Sequence, residues 1–303
     1  RCSYQFACYH DGGMITDGIL LRVDRDRYWF AQADGDLFSW YKAHSESLDV
    51  TISDPEVWIS QIQGPSSMEL LEKLIDGAMP DPWHYFDWAE VTLAGEQVII
   101  SRTGFTNELG WEIYFRPEND VQMLGDLILA EGSKMGMILT ATPGFRCRRI
   151  EAGLLSAGQD FTHTTTPFAV GLGRFIDFEK GDFVGRTALM AADKTCRSWG
   201  IRVEGGTAVR GDTLEKSGQP IGRVTSSTWS PFQVCGVGIV HLNNTHLGPG
   251  AVVDVQCTDG KLHRGELCTL PMYDPKGEIV RGINKVIPTE PEPWAGIPVT
   301  AST

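Results

Sequence analysis

Ser101–Phe115 reads SRTGFTNELGWEIYF. Its first residues close an apolar run, Gln97–Arg102, and its last six, Gly110–Phe115, form another. The polar, glycine-containing middle is a turn, so the stretch predicts two adjacent strands. Upstream, Trp88–Leu93 is a further strand, joined to Gln97–Arg102 through Ala94-Gly95-Glu96. Glu112 lies between Trp111 and Ile113 in an otherwise apolar strand. A carboxylate there faces water or meets a partner, because burying a lone charge is costly. It can also accept two parallel hydrogen bonds from an N–H/NH2 pair, such as an aminopyrimidine edge offers. Composition alone makes the solvent-facing glutamate the simpler of these readings.

Working outward, Gly18–Val23 and Arg27–Ala33 flank a polar Asp24-Arg25-Asp26 turn and predict a hairpin. Leu37–Glu46 has helical spacing through Leu37, Trp40 and Tyr41. Val50–Ile52 and Val57–Gln63 read as strands. Pro65–Ile75 reads as a helix, with Ser66 and Ser67 as cap candidates and Leu70, Leu71 and Leu74 on one face. Asp120–Leu129 and Phe145–Gly153 are two more helices. Strands and helices therefore mix in α+β layers up to about residue 190. From Arg197 to Leu270 the texture changes to strands about ten residues apart with frequent glycine turns, which predicts a small β-barrel or sandwich. The expected division is residues 1–192 as α+β, 193–287 as the β domain and 288–303 as an extended tail. The opening residues, Arg1–Tyr9, read like the middle of a fold, so an N-terminal segment is expected to precede them.

The bulk properties narrow the function. The 303 residues are enough for two or three domains, with 42% hydrophobic and 21% charged residues. A formal charge of -13 without a basic stripe speaks against a nucleic-acid partner. No run of about 20 apolar residues is available to span a membrane, and no signal peptide is visible. The seven cysteines are odd in number and lack C-x-x-C spacing, so reduced thiols in a cytoplasm are expected, with no disulfide framework. No metal is expected either. Of seven scattered histidines, only His241 and His246 lie close together, in HLNNTH, which reads as a loop.

Two further stretches matter in combination. Arg149–Leu172, RIEAGLLSAGQDFTHTTTPFAVGL, runs from a helix end into a long loop. Alone it reads as a structural connection, with Asp160 and the threonines capping turns and His163 an ordinary loop residue. Phe175–Leu189, FIDFEKGDFVGRTAL, places a turn at Gly181-Asp182 and opens a short helix at Gly185-Arg186.

Taken in order, TGFTNELGWEI, RIEAGLLSAGQD, TTPFAVGLG and KGDFVGRTAL resemble the glycine-cleavage T-protein (aminomethyltransferase) superfamily. GGMITD at Gly12–Asp17 and VTSSTWSP at Val224–Pro231 extend the resemblance over nearly the whole chain, Arg1 to Leu270. Within the superfamily, GGMITD, RYWFAQADGDLFSW, IEAGLLSAGQDFT and TPFAVGLGRFI are most similar to the dimethylsulfoniopropionate demethylase branch. T-proteins place Asn where this chain has Ala33, Arg where it has Phe145 (Arg146 is adjacent), and an acid where it has Thr16. The resemblance implies three domains in a ring around a folate channel: two interleaved α+β domains and a β-barrel. It implies tetrahydrofolate as cofactor and a small methyl or methylene donor as partner. It carries over Glu112 as the carboxylate on the pterin, Phe105 as an aromatic beside it, and Asp17 near the reactive folate nitrogens. Trp229 lies in the segment that would close the pocket.

The expected reaction is transfer of a methyl group to N5 of tetrahydrofolate. A sulfonium leaves as a neutral thioether and needs no acid, so orientation accounts for much of the rate. Its positive charge would want aromatic faces, among Tyr4, Phe6, Tyr9, Trp29, Trp40, Trp83, Tyr85, Phe86 and Trp88, although core packing explains most of these residues as well. An aryl methyl ether or methylenedioxy donor would need an acid, for which Tyr9 and His10 are the catalytic candidates beside Asp17. The resemblance also admits a glycine-cleavage role, against which Ala33 and Phe145 speak, and a non-catalytic folate-binding role.

Overall fold

A computed structural model describes residues 1–140, 142–243 and 246–298. The end of the expected tail and two residues of the HLNNTH loop lie outside them. The chain forms two units whose segments interleave in sequence. Residues 1–5, 18–142 and 276–287 make the first; residues 6–17, 143–275 and 288–303 make the second.

The first unit is built on a four-stranded antiparallel sheet. Its strands are β4 (Trp58–Gln63), β5 (Trp88–Leu93), β6 (Glu96–Ser101) and β7 (Gly110–Phe115), in the order β4-β7-β6-β5. Side chains alternate across a strand, so one face carries Val91, Leu93, Val98, Ile100, Trp111, Ile113 and Phe115. Helices α2 (Ser67–Leu74) and α3 (Val121–Lys134) cover that face with Leu70, Leu71, Leu74, Leu124 and Ile128. The opposite face carries Ile99 and Tyr114, which pack with Leu21 and Trp29. Those two belong to the expected hairpin, β2 (Met14–Asp24) and β3 (Arg27–Gln32), paired from Gly18↔Gln32 to Asp24↔Arg27. Strand β1 (Cys2–Cys8) completes the three-stranded sheet β1-β2-β3, and α1 (Leu37–His44) follows the hairpin.

Three local expectations change. Val50–Ile52 forms no strand: no neighbouring strand pairs with it, and Val50 is exposed. Ser66 occupies the cap of α2 without a side-chain bond to the helix, while the Ser67 hydroxyl donates to Leu109 C=O at 3.1 Å. Helix α3 runs five residues past Leu129, capped by Asp120, which accepts from Met123 N–H at 3.0 Å.

The second unit holds α4 (Thr142–Ala152), α5 (Arg186–Ala191) and six strands. These are β8 (Ser198–Val203), β9 (Thr213–Lys216), β10 (Gln219–Ser230), β11 (Cys235–Leu242), β12 (Val252–Gln256) and β13 (Leu262–Cys268). They close into a barrel in the order β10-β11-β8-β13-β12-β9. The fold is therefore mixed α and β with a closed six-stranded barrel in the last third, as the change of texture predicted. Ile201, Val203, Leu214, Val224, Val240, Leu242, Val253, Val255 and Leu267 form one core. Val237 and Ile239 of β11 pack instead with Met14, Ile150, Leu155, Phe161 and Phe168. Strand β11 is thus buried on both faces, which explains its nearly continuous apolar run.

Candidate functional site

In the first unit, Glu112 sits on β7 opposite Ser101 of β6 and Gln61 of β4. It shares the sheet face of Tyr114 and Ile99, away from the two helices. The Thr103 hydroxyl donates to Glu112 Oε2, and Thr103 Oγ1 and Ser101 Oγ lie 2.5 Å apart. Ser101 also reaches the Tyr114 hydroxyl at 3.4 Å. Burial raises the Glu112 pKa above the ordinary carboxylate value, and the Thr103 bond offsets part of that rise. Burial pushes the nearby Tyr85 phenol and Cys2 thiol up to about 12. The Thr103 bond engages one lone pair of a group that can accept about four hydrogen bonds. The carboxylate thus has acceptor capacity for a ligand with paired N–H groups, which is what a pterin edge requires. Phe105 stands half-buried in the adjoining loop, its N–H donating to Gln61 Oε1 at 3.3 Å.

In the second unit, three sequence motifs meet at one turn. Tyr9 N–H donates to Gly13 C=O at 2.8 Å, and Gly13 N–H donates to Asp11 Oδ1 at 3.0 Å. Met14 N–H reaches Thr165 C=O at 2.9 Å, which ties GGMITD to the threonine loop. A Cβ on Gly13 would lie 1.7 Å from His163 C=O, and one on Gly185 would lie 2.6 Å from Tyr9 C=O. His163 therefore contributes its backbone to the fold of this turn. We expect Gly13→Ala to destabilise by about 1–3 kcal/mol, because the backbone must shift to admit the methyl group. Gly125→Ala in α3, with nothing within 4 Å, should instead stabilise by about 0.5–1 kcal/mol. Thermal unfolding of the two variants checks the opposite signs. Just beyond the turn, Thr16 is buried and Asp17 half-buried on β2, facing opposite ways. Tyr9 is half-buried and His10 exposed.

Trp229 lies on β10, 41% exposed, where the strand pairs it with Gly236. Its neighbours in VTSSTWS do something the sequence does not disclose. Thr225 and Ser226 hydroxyls donate to Asp160 Oδ1 at 2.6 and 2.7 Å. Arg149 Nη1 donates to Asp160 Oδ2 at 2.5 Å and Nη2 to Ser226 Oγ at 2.7 Å. Ser230 donates to Glu151 Oε1 at 2.5 Å and Gln233 Nε2 does so at 3.1 Å, while Arg148 pairs with Oε2 at 2.8 Å. Asp160 is therefore a buried ionic hub joining α4, its following loop and the barrel, and not simply the turn cap that its loop setting suggests.

The aromatic residues expected to suit a cationic donor are largely engaged within the first unit. Trp83 is buried, its ring centroid 4.7 Å from that of Trp111. Arg116 stands 6.0 Å from the Trp29 ring and Arg281 the same distance from Tyr85. Trp40 packs on His44 at 4.3 Å. All seven cysteines are free. Among the described residues no helix is long and apolar enough to cross a membrane.

Comparison with known proteins agrees with this arrangement. The GCVT N-terminal domain pattern matches residues 1–180, and the glycine cleavage T-protein C-terminal barrel domain matches residues 197–274. An aminomethyltransferase of Halothermothrix orenii is 29% identical over 276 residues, covering 88% of this chain and 76% of the relative. Dimethylsulfoniopropionate demethylase of Ruegeria pomeroyi is 30% identical over 267 residues, covering 86% and 72%. The crystal structure of aminomethyltransferase T from Bartonella henselae shares the fold, with TM-score 0.80 and 22% identity over 90% of this chain and 76% of that one. With both domain patterns matched in order along a fold of that type, the chain belongs to the glycine-cleavage T-protein family.

Proposed function

We propose that this protein moves a methyl group from a small sulfonium donor such as dimethylsulfoniopropionate to N5 of tetrahydrofolate, in a reducing cytoplasm. Enzymes of the family are tetrahydrofolate-dependent transferases. The observation that carries the folate part of this reading is Glu112: a half-buried carboxylate with a threonine donor, acceptor capacity to spare and a pKa raised by burial. Tetrahydrofolate would supply the amine nucleophile. Glu112 would accept from the pterin ring, and Phe105 would pack beside it. Asp17 would orient the donor or take the proton from N5. A neutral thioether needs no acid to leave, so the chain's main contribution would be alignment.

A second reading, demethylation of an aryl ether, has one observation in its favour. Tyr9 and His10 lie on the hydrogen-bonded turn that leads into the Asp17 strand, where an acid for a phenolate could stand. The test offers dimethylsulfoniopropionate, methoxybenzoates, a methylenedioxy aromatic and glycine-derived aminomethyl donors, and follows folate products by mass spectrometry. We expect 5-methyl-tetrahydrofolate from the sulfonium, with kcat lowered by about a hundredfold or more in Asp17→Asn. Product only from an aryl ether, lost in Tyr9→Phe or His10→Gln, would replace the first reading with the second.

A further inference from the structure

Resting on the folate reading of Glu112, we infer that Gln63 is a positioning residue that shapes the ligand-binding loop, residues 103–110. Gln63 is the last residue of β4 and pairs with Gly110. Its side chain reaches the start, middle and end of the loop. Nε2 donates to Thr103 C=O at 3.4 Å and to Trp111 C=O at 3.5 Å. Oε1 accepts from the Thr106 hydroxyl at 2.7 Å. The loop is also cut to fit this amide. A Cβ on Gly104 would lie 2.3 Å from Gln63 Oε1, and one on Gly110 the same distance from Gln63 Cδ. Neither glycine is required by a positive φ, so the amide itself explains their lack of a side chain. Two residues earlier on the same strand face, Gln61 takes the Phe105 N–H.

The consequence runs through Thr103. Its carbonyl is held by Gln63 and its hydroxyl holds Glu112. Gln63 therefore sets where the Glu112 carboxylate and the Phe105 ring stand without touching the ligand. A methionine at position 63 keeps the length of the side chain but leaves two carbonyls and a hydroxyl without their amide partner.

The experiment compares wild type, Gln63→Met, Gln63→Ala, Gly104→Ala and Gln63→Ala/Gly104→Ala in the full chain. Amide hydrogen exchange of residues 103–110 is measured without ligand. Tetrahydrofolate affinity, KM and kcat are measured with it. Gln63→Met should speed loop exchange and weaken affinity about tenfold each, raising KM while kcat at saturating folate stays near wild type. Gly104→Ala should loosen the loop alone but add little to Gln63→Ala, since the clash it introduces is then gone. Unchanged loop exchange in Gln63→Met, or a faster loop with unchanged folate affinity, overturns the inference. If wild type binds no folate, the reading of Glu112 falls, and the ligand-free exchange still decides whether Gln63 shapes the loop.

Discussion

Asp160→Ala is expected to cost the second unit about 3–5 kcal/mol, because it leaves the Arg149 guanidinium buried without its counter-charge. The pair is almost wholly out of water, with side-chain exposures of 4% for Arg149 and 0% for Asp160. The carboxylate also takes Ser156 N–H at 3.0 Å, Thr225 and Ser226, so its removal strands several donors at once. Asp160→Asn should cost less, since an amide oxygen still accepts. Replacing both charges, as in Arg149→Met/Asp160→Leu, should be milder than Asp160→Ala alone, because desolvation of two ions is relieved together. Urea unfolding followed by tryptophan fluorescence gives the comparison. A loss below about 1 kcal/mol in Asp160→Ala would show that the hub does not hold α4 to the barrel.

Glu112→Gln should behave in the opposite manner, harming the site while sparing the fold. A carboxylate accepting a pterin N–H/NH2 pair makes two charge-assisted bonds, each of about 1.5–3 kcal/mol. The amide presents one acceptor and one donor, so tetrahydrofolate affinity should fall about a hundredfold or more. Stability should be unchanged or higher. The folded-state pKa of Glu112 is raised above its ordinary value of 4.5, so the native protein holds this proton more tightly than the unfolded chain. Its presence then lowers stability progressively as pH rises from the unfolded value through the folded one, and glutamine removes that slope. Binding has the reverse sense. The ligand needs the ionised acceptor, so wild-type affinity should drop as pH falls through the raised pKa, already above pH 4.5. Glu112→Gln should lack this component, and subtracting its profile removes the ligand's own titration. A wild-type profile parallel to that of the variant would show that Glu112 does not meet the pterin.

These two carboxylates show what can be read in advance. Glu112 resembles a surface residue by composition, and only several motifs in correct order point to a ligand. Its strand and turn are plain from local pattern, and so are the barrel strands between glycine turns. Asp160 reads as a turn cap because turn chemistry is local, whereas its partners Thr225 and Ser226 come 65 and 66 residues later. Gln61 and Gln63 carry no signal, since polar residues on a strand normally mean a wet face. The glycines at 104 and 110 are the one available hint, and only a structure shows what they make room for. Val50–Ile52 fails for the related reason that a β-prone run forms a strand only where a neighbour pairs with it.

Interleaving has a consequence for how the protein is made. Arg102, one residue before Thr103, donates through Nη1 to Trp83 C=O at 2.5 Å and through Nη2 to Arg281 C=O at 2.6 Å. The second of these partners is translated 179 residues later. A ribosome that has completed residues 1–192 has therefore finished neither unit, since the first still awaits residues 276–287 and the second its whole barrel, Ser198 to Cys268. Vectorial, domain-by-domain folding is closed to such a chain. Its sheet must wait with one end unsealed, which makes the interval before residue 281 emerges the period when a nascent-chain chaperone has most to protect.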